Sequence, residues 1–304
     1  MTLRAIIIGA AAGGGLPQWN CAAANSRAAW DDHRAPRATQ SALAVTVDGD
    51  AWALVNASPD LRGQVLATPE LQPRPATEAG LRNSPIKSVL LTNGDIDHVA
   101  GLLTLREGHT FDLFATPAIH AVLDANPIFE ALARDRVARR PAALDAPFAL
   151  LPGLTATLYA APGKVPLYME GETVETGIEG EQTVGVALSD GRRTLHYIPG
   201  CARMTPALAE RLGGAAAVLF DGTVFHDDEM ARAGVGTKTG ARMGHMAMAG
   251  PEGSLAAFEG LDVGRKVYVH INNTNPVWDP RSPERARVEA AGWEVAFDGM
   301  EIVP

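Results

Sequence analysis

The stretch Val89-Leu90-Leu91-Thr92-Asn93-Gly94-Asp95-Ile96-Asp97-His98-Val99-Ala100-Gly101 decides how the rest of the chain is interpreted. Its apolar start predicts a strand buried on both faces, and Gly94 marks the turn that follows. Asp95, Asp97 and His98 can then converge on one point. Two carboxylates crowded in a loop repel each other unless a cation lies between them, which favours a metal site. A polar turn is the alternative, with Asp97 as a helix N-cap and His98 exposed on the first turn.

The composition is that of a globular protein with a large core. The chain has 304 residues, of which 46% are hydrophobic and 20% charged. No linker or charge block divides it, so one domain over residues 1–304 is expected. The net charge of -9 and the pI near 5.4 disfavour nucleic acid as a partner, because phosphate binding needs clustered Lys and Arg. No stretch reaches the roughly 18 apolar residues of a membrane span, so no membrane contact is expected.

The two cysteines, Cys21 and Cys201, are too few and too far apart for a disulfide framework or a self-contained zinc site. This usage fits a reducing cytoplasm. The apolar N-terminus is too short for a convincing signal peptide, and Gly13-Gly14-Gly15 is better interpreted as a loop after a first strand.

Strands alternate with helices along the chain, which predicts an α/β layered fold, and the hairpins make its sheets mixed. Apolar and β-branched runs predict strands over 3–8, 41–47, 51–55, 89–91, 112–115, 154–159, 183–189 and 194–198. Helices are predicted from about Val99, over 117–126 and over 128–137, with the basic cluster 134–140 on a solvated helix face. The Gly/Pro-rich segment 160–180 is long for a loop, and such loops often form lids or binding loops.

Three later segments each place a metal-capable residue where a strand or helix begins or ends. Asp221 follows an apolar run, and it could be a ligand or a carboxylate that orients a histidine. His245 precedes a helix, and His270 lies at the end of the run 267–269. The remaining histidines are expected to be surface or packing residues: His33, His109, His120, His196 and His226.

The order of these motifs resembles the metallo-β-lactamase superfamily, whose metal loop reads His-x-His-x-Asp-His after a buried strand. Here Asn93 and Asp95 replace the first two histidines, while Asp97 and His98 keep the positions that serve the second metal. The resemblance implies an αββα sandwich of two mixed sheets with outer helices, and a site where strand ends from both halves meet. An ordinary two-zinc hydrolase needs nitrogen ligands for both ions, and this loop cannot supply the first set.

Longer blocks resemble the PqqB proteins of pyrroloquinoline quinone (PQQ) biosynthesis over essentially the whole chain. These blocks are 13–21, 56–60, 96–98, 101–108, 234–240 and 270–276. The resemblance implies a non-haem iron oxygenase that uses O2 to hydroxylate the tyrosine ring of a cross-linked Glu-Tyr precursor cut from the PqqA peptide. It places metal-site histidines at His245 and His270.

Asp97, His98 and His270 are the expected Fe(II) ligands, since two histidines and a carboxylate with open positions opposite suit non-haem iron and oxygen. Further ligands or proton relays are expected at three other positions: Asp95, Asp221 and His245.

Arg106 and the asparagine run 272–275, with Asn273 and Asn275, are candidates to hold the amide and carboxylate groups of the substrate. A capped turn explains the asparagines equally well.

Many PqqB proteins carry a Cys-x-Cys-x-x-Cys zinc site, and here the three positions are Cys21, Ala23 and Ser26. A lone thiolate cannot hold structural zinc, so none is expected. Two other functions stay open, a zinc-dependent hydrolase of the metallo-β-lactamase type and a non-catalytic carrier of PQQ or its precursor. A homodimer also stays open.

Overall fold

The computed structural model describes residues 2–32, 36–75, 80–171 and 174–304, and within them fourteen strands form two seven-stranded sheets. The strands are β1 (Arg4–Gly9), β2 (Ala42–Thr46), β3 (Trp52–Val55), β4 (Ile86–Leu90), β5 (Phe111–Ala115), β6 (Val137–Pro141), β7 (Pro147–Leu151), β8 (Leu154–Ala160), β9 (Val184–Ser189), β10 (Thr194–Ile198), β11 (Ala215–Asp221), β12 (Val263–Val269), β13 (Trp293–Val295) and β14 (Met300–Ile302).

The helices are short. The α-helices are α1 (Ala24–Arg27), α2 (Leu61–Ala67), α3 (Ile96–Val99), α4 (Pro117–Asp124), α5 (Pro206–Leu212), α6 (Glu229–Arg232), α7 (Gly240–Met243), α8 (Ser254–Ala257) and α9 (Pro283–Ala290). A π-helical turn covers Ala28–Asp32, and 3-10 helices cover Pro69–Leu71, Ala100–Arg106, Pro127–Ala131, Leu167–Met169 and Pro276–Trp278.

The first sheet has the order β14-β1-β2-β3-β4-β5-β6 and the second β13-β12-β11-β10-β9-β8-β7. Pairing in the first sheet is antiparallel from β14 to β3 and parallel from β3 to β6. The second sheet is parallel from β13 to β10 and antiparallel from β10 to β7. The predicted sandwich of two mixed sheets is therefore confirmed.

Polar and aromatic contacts join the two sheets across a continuous apolar core. The Ser41 and Tyr197 hydroxyls lie 2.7 Å apart in a buried hydrogen bond, and the rings of Phe114 and Phe148 stack with centroids 5.0 Å apart. At one end, the Val184 N–H donates to the carbonyl of Thr92 at 2.9 Å. This last bond ties the segment after β4 to the second sheet, where the candidate site lies.

The predicted strands are found with small shifts at their ends, but the predicted helix over 128–137 is wrong. A 3-10 helix over Pro127–Ala131 ends early, and β6 carries Arg139 and Arg140 on an edge strand. Arg140 pairs with Asp112 of the neighbouring β5 at 2.9 Å. This part of the basic cluster 134–140 therefore lies in a cross-strand ion pair and not on a solvated helix face.

The helix predicted from Val99 also differs, because α3 continues as the 3-10 helix Ala100–Arg106. In the described ranges, no helix has the length and apolar character needed to cross a bilayer. One domain over 1–304 stays a prediction.

Candidate metal centre

The loop after β4 carries the first group of candidate ligands. Asp95 immediately precedes α3, and Asp97 and His98 lie within it. The Asp97 carboxylate does not cap the helix, because its oxygens lie 3.2 Å from His98 Nδ1 and 3.1 Å from His270 Nε2. His98 is only 2% exposed. The polar-turn alternative, which needs an exposed His98, therefore does not describe this loop.

Three imidazoles stack in a row at the carboxyl ends of the strands. The centroid of the His270 ring lies 5.2 Å from that of His98 and 5.1 Å from that of His245, with interplanar angles of 24° and 21°. His270 follows β12 with φ +55°, a left-handed conformation that costs energy for a residue with a side chain. This strained conformation places its ring between the other two.

A second group forms around Asp221, the last residue of β11, which is fully buried. Its carboxylate lies 2.7 Å from His245 Nδ1 and accepts a bond from the Cys201 N–H at 2.8 Å. The structure thus contains two clusters of candidate ligands that share His270, and within each cluster the donor atoms lie within 4.8 Å of one another.

Thr223 connects the two clusters, and nothing in its local sequence suggested this. Its hydroxyl lies 2.7 Å from Asp221 Oδ1, 2.8 Å from His270 Nδ1 and 3.0 Å from His245 Nδ1. One hydroxyl has one proton to donate, so at most one of these contacts uses it and the imidazoles donate the others. Donation from Nδ1 leaves Nε2 of His270, which lies 3.1 Å from Asp97, and Nε2 of His245 without a proton, so that each can bind a metal or accept a proton.

The electrostatics of the centre keep its carboxylates ionised. Burial alone would raise the pKa of Asp97, but His98 and His270 hold it well below its usual value. Burial opposes protonation of His98, yet attraction to Asp97 outweighs it and raises the pKa. Burial lowers the pKa of His270.

The residues fit a bound transition metal. His98 Nε2 is buried and has no hydrogen-bond partner among the described residues, which is costly for an imidazole nitrogen unless a further group binds there. Imidazole nitrogens with carboxylate oxygens form the donor set that zinc and iron prefer in proteins.

A cavity of about 370 Å³ opens beside these clusters. Segment 163–170 forms part of its wall, which agrees with the binding role expected of the long loop 160–180. Within that loop, Glu172 and Thr173 lie outside the described residues. Asn272, from the asparagine run that the sequence indicated, also lines the cavity. The sequence did not indicate the charged lining residues Lys164, Glu170, Lys238 and Arg242.

Asp95 lines the cavity but belongs to neither cluster, and its carboxylate accepts a bond from the Leu167 N–H at 3.3 Å. Arg106 lies outside the cavity lining: its exposed side chain donates to the Leu103 carbonyl at 2.7 Å and pairs with Glu107 at 3.3 Å.

Asn273 and Asn275 are buried, and neither lines the cavity. Asn275 Nδ2 donates to the Gly222 carbonyl at 3.0 Å, and Asn273 Nδ2 to Ser26 Oγ at 3.2 Å. The geometry therefore favours the turn explanation over substrate contact for Asn273 and Asn275, and Arg106 also lies outside the cavity, whereas Asn272 of the same run lines it.

The other described histidines belong to neither cluster. His120 and His196 are buried, His109 and His226 are half-buried, and His33 lies outside the described residues. Cys21 and Cys201 are both free thiols.

Comparisons with known proteins agree with the fold. The family model described as a β-lactamase superfamily domain matches residues 51–271. Coenzyme PQQ synthesis protein B of Ruegeria pomeroyi is 58% identical over 99% of this chain and 100% of its own length. The same protein of Methylorubrum extorquens strain AM1 is 54% identical over 99% of both chains.

Among solved structures, Zn²⁺-bound PqqB from Methylobacterium extorquens matches with a TM-score of 0.96 and 54% identity, covering 98% of this chain and 99% of its own. A diphosphatase of the PhnP family has a TM-score of 0.69 at 19% identity, covering 99% and 97%, which indicates a shared fold alone. The sequence predicts that this chain has no structural zinc, and the Zn²⁺-bound relative gives that prediction no support. Whether Cys21 binds zinc stays a prediction.

Proposed function

This chain belongs to the coenzyme PQQ synthesis protein B family within the β-lactamase superfamily, and from that membership we propose that it is a metal-dependent hydroxylase in PQQ biosynthesis. The proposed reaction uses Fe(II) and O2 to hydroxylate the tyrosine ring of a cross-linked Glu-Tyr precursor. The proposed location is the cytoplasm, which fits the two free thiols.

The observation that carries this proposal is the cluster of Asp97, His98 and His270 at the edge of an accessible cavity. Two imidazoles and one carboxylate with open positions opposite suit Fe(II) that must also meet O2. When bound there, the metal would supply the activation of O2. The loop lacks the two leading histidines of a two-zinc hydrolase, since Asn93 and Asp95 stand in their places.

The protein's own residues would orient the substrate and move protons. His245 lines the cavity and is outside the Asp97–His98–His270 cluster, and Asp221 and Thr223 hold its Nδ1, which leaves Nε2 to accept a proton. A phenol placed there can transfer its proton to Nε2, and the buried Asp221 carboxylate stabilises the imidazolium that forms. Asp95, at the rim of the same cavity, is the second proton-accepting group.

Each hydroxylation inserts one oxygen atom of O2 into a ring C–H bond and releases the other atom as water. The balance requires two electrons and two protons from outside the substrate. An external two-electron reductant of the ascorbate class must supply them.

The test is anaerobic reconstitution with Fe(II), followed by addition of the cross-linked precursor, ascorbate and oxygen, with mass analysis of the product. We expect a gain of one oxygen atom per hydroxylation and matching O2 uptake. His98→Ala removes a candidate ligand, so it should abolish product and weaken metal binding by more than the roughly 10 to 100-fold that loss of an outer partner costs. Product formation by His98→Ala at the normal rate would contradict the assignment.

A zinc-dependent hydrolase is the second candidate, and the Zn²⁺-bound relative favours it. It predicts two tightly bound zinc ions, with turnover of a phosphodiester or lactam by the zinc-loaded protein and no oxygen uptake. A carrier of PQQ or its precursor predicts binding without any new product in either metal form. Reconstitution with Fe(II) and, in parallel, with Zn²⁺, each followed by the matching assay, therefore separates the three functions.

A further inference from the structure

The cavity has a cationic wall made of Lys164, Lys238 and Arg242. Lys164 belongs to the loop after β8, and the other two lie shortly before and within α7. This wall comes from chain segments other than the loop that carries Asp97 and His98, although both line the same cavity. A ligand in the cavity therefore meets the candidate metal ligands and these cations together.

Glu170 neutralises part of the cationic wall. Its carboxylate lies 2.8 Å from Lys164 Nζ through one oxygen and 2.9 Å from Arg242 Nη2 through the other. The Glu170 side chain is only 7% exposed and that of Lys164 12%, so the charges are largely withdrawn from water. Hydrogen bonds from Arg242 and then Lys164 lower the pKa of Glu170 to about 2, so it is ionised at neutral pH.

Lys238 is the cation that Glu170 does not neutralise. It is exposed, lines the cavity and forms no ion pair with any residue that the structure describes. A carboxylate ligand can reach Lys238 directly, whereas at Lys164 and Arg242 Glu170 already occupies donors and repels a second carboxylate. Charge-assisted bonds from Lys and Arg to a carboxylate are among the stronger polar interactions in proteins.

We propose that the cationic wall binds the carboxylates of the substrate, and that Glu170 is an internal carboxylate that occupies part of this site until the substrate displaces it. The ligand class is an aromatic molecule with at least two carboxylates, its ring toward Asp97 and its carboxylates toward Lys238 and Arg242. This inference rests on the proposed function for the identity of the substrate. The binding site itself depends only on the charges of the cationic wall and Glu170.

Substitution of Glu170 should change the affinity for polycarboxylates in the opposite direction from substitution of the cations. Loss of a cation removes an attractive contact and must weaken polycarboxylate binding. Loss of the Glu170 charge removes an internal competitor and must strengthen it, even though Glu170 makes two ion pairs. If Glu170 only held the loop in place, Glu170→Gln would weaken binding or leave it unchanged.

The experiment measures binding of benzene-1,3,5-tricarboxylate by calorimetry to the metal-loaded full-length protein. This probe is aromatic, and its carboxylates are too far apart to chelate one metal ion. Benzene-1,3,5-trimethanol, of similar shape and without charge, is the control ligand. Lys238→Met and Arg242→Met should each weaken binding by roughly tenfold or more, and Glu170→Gln should tighten it by a few-fold or more.

Matched variants outside the cavity control for net charge. Arg192 is exposed on the β9–β10 turn, and Glu130 pairs with Arg134 on the surface, so Arg192→Met and Glu130→Gln should leave the affinity unchanged. Weaker binding to Glu170→Gln, equal losses in Arg192→Met and Lys238→Met, or equal binding of the uncharged ligand would overturn the proposal. Binding needs no turnover, so failure to hydroxylate the precursor would sink the proposed function and leave this result standing.

Discussion

At the scale of single residues, Thr223 has more influence on the centre than its size suggests. Its hydroxyl lies within hydrogen-bonding distance of Asp221, His245 and His270, and it is 4% exposed. Partners of this kind fix which ring nitrogen carries the proton and so which one is free for a metal. Thr223 is therefore a positioning residue and not a catalytic one.

Thr223→Val keeps the shape of the side chain and removes the hydroxyl, so we expect it to weaken Fe(II) and Zn²⁺ binding roughly 10 to 100-fold. Thr223→Ser keeps the hydroxyl and should restore most of the affinity. Competition with a chromophoric chelator measures both. If valine and serine variants bind metal equally, the hydroxyl does not set the tautomers and the role of Thr223 is packing.

The sequence predicts residues of the centre where the end of an apolar run marks them. Asp97 and His98 follow a strand that is easily recognised, and Asp221 and His270 also lie at the ends of apolar runs. Thr223 and Arg242 give no local signal, because their roles arise when β11 and α7 fold against the other half. The charge of Arg106 makes it a candidate for substrate binding in the sequence. In the structure its guanidinium instead donates to the Leu103 carbonyl and pairs with Glu107.

At the scale of elements, α3 and the 3-10 helix after it depend on Gly101. A Cβ at Gly101 would lie 2.0 Å from the Ser58 carbonyl oxygen, and the Gly101 N–H already donates to the Ala57 carbonyl at 2.9 Å. The Ala57 N–H in turn donates to the His98 carbonyl at 2.7 Å. Any shift at Gly101 therefore moves the helix that carries Asp97 and His98.

Gly101→Ala should lower the free energy of unfolding by roughly 1–3 kcal/mol through overpacking, and it should weaken metal binding as well. Gly63→Ala is the matched control, because α2 has open space at that position and alanine favours a helix by up to about 1 kcal/mol. Urea unfolding of the metal-free proteins and chelator competition give the two quantities. Unchanged stability of Gly101→Ala would mean that α3 and the Ala57–Ser58 segment are not tightly packed.

The strands were largely predictable, because short apolar and β-branched runs predict a buried strand better than they predict a helix or a loop. The helix predicted over 128–137 is wrong because the 3-10 helix ends at Ala131, a turn follows, and the chain pairs as an edge strand from Val137 onward. Val137 pairs with Phe111, and Pro141 is tolerated at the last position of a strand that has a partner on one side only.

At the scale of the whole molecule, the two sheets are coupled by the path of the chain. β13 ends the second sheet, and the next strand, β14, returns to the edge of the first sheet beside β1. Asp298 lies in this crossing and accepts bonds from the Ala10 N–H at 2.9 Å and from the N–H and hydroxyl of Thr39, both at 2.7 Å. The C-terminal segment is thus fixed to the N-terminal half.

This coupling predicts one cooperative unfolding transition, as expected for a single domain over 1–304. Hydrogen exchange of peptides from β2–β4 and from β11–β12, followed in increasing urea with a chelator present, should give the same free energy of opening for both sheets. The chelator matters because a bound metal would couple the sheets by itself. Asp298→Ala leaves the N–H groups of Ala10 and Thr39 without their partner, while the Thr39 hydroxyl keeps the Ile8 carbonyl at 3.1 Å, and it should lower both values together by on the order of 3 kcal/mol. If only the first sheet lost protection while β11–β12 kept theirs, the halves would fold as separate units and the single-domain prediction would be wrong.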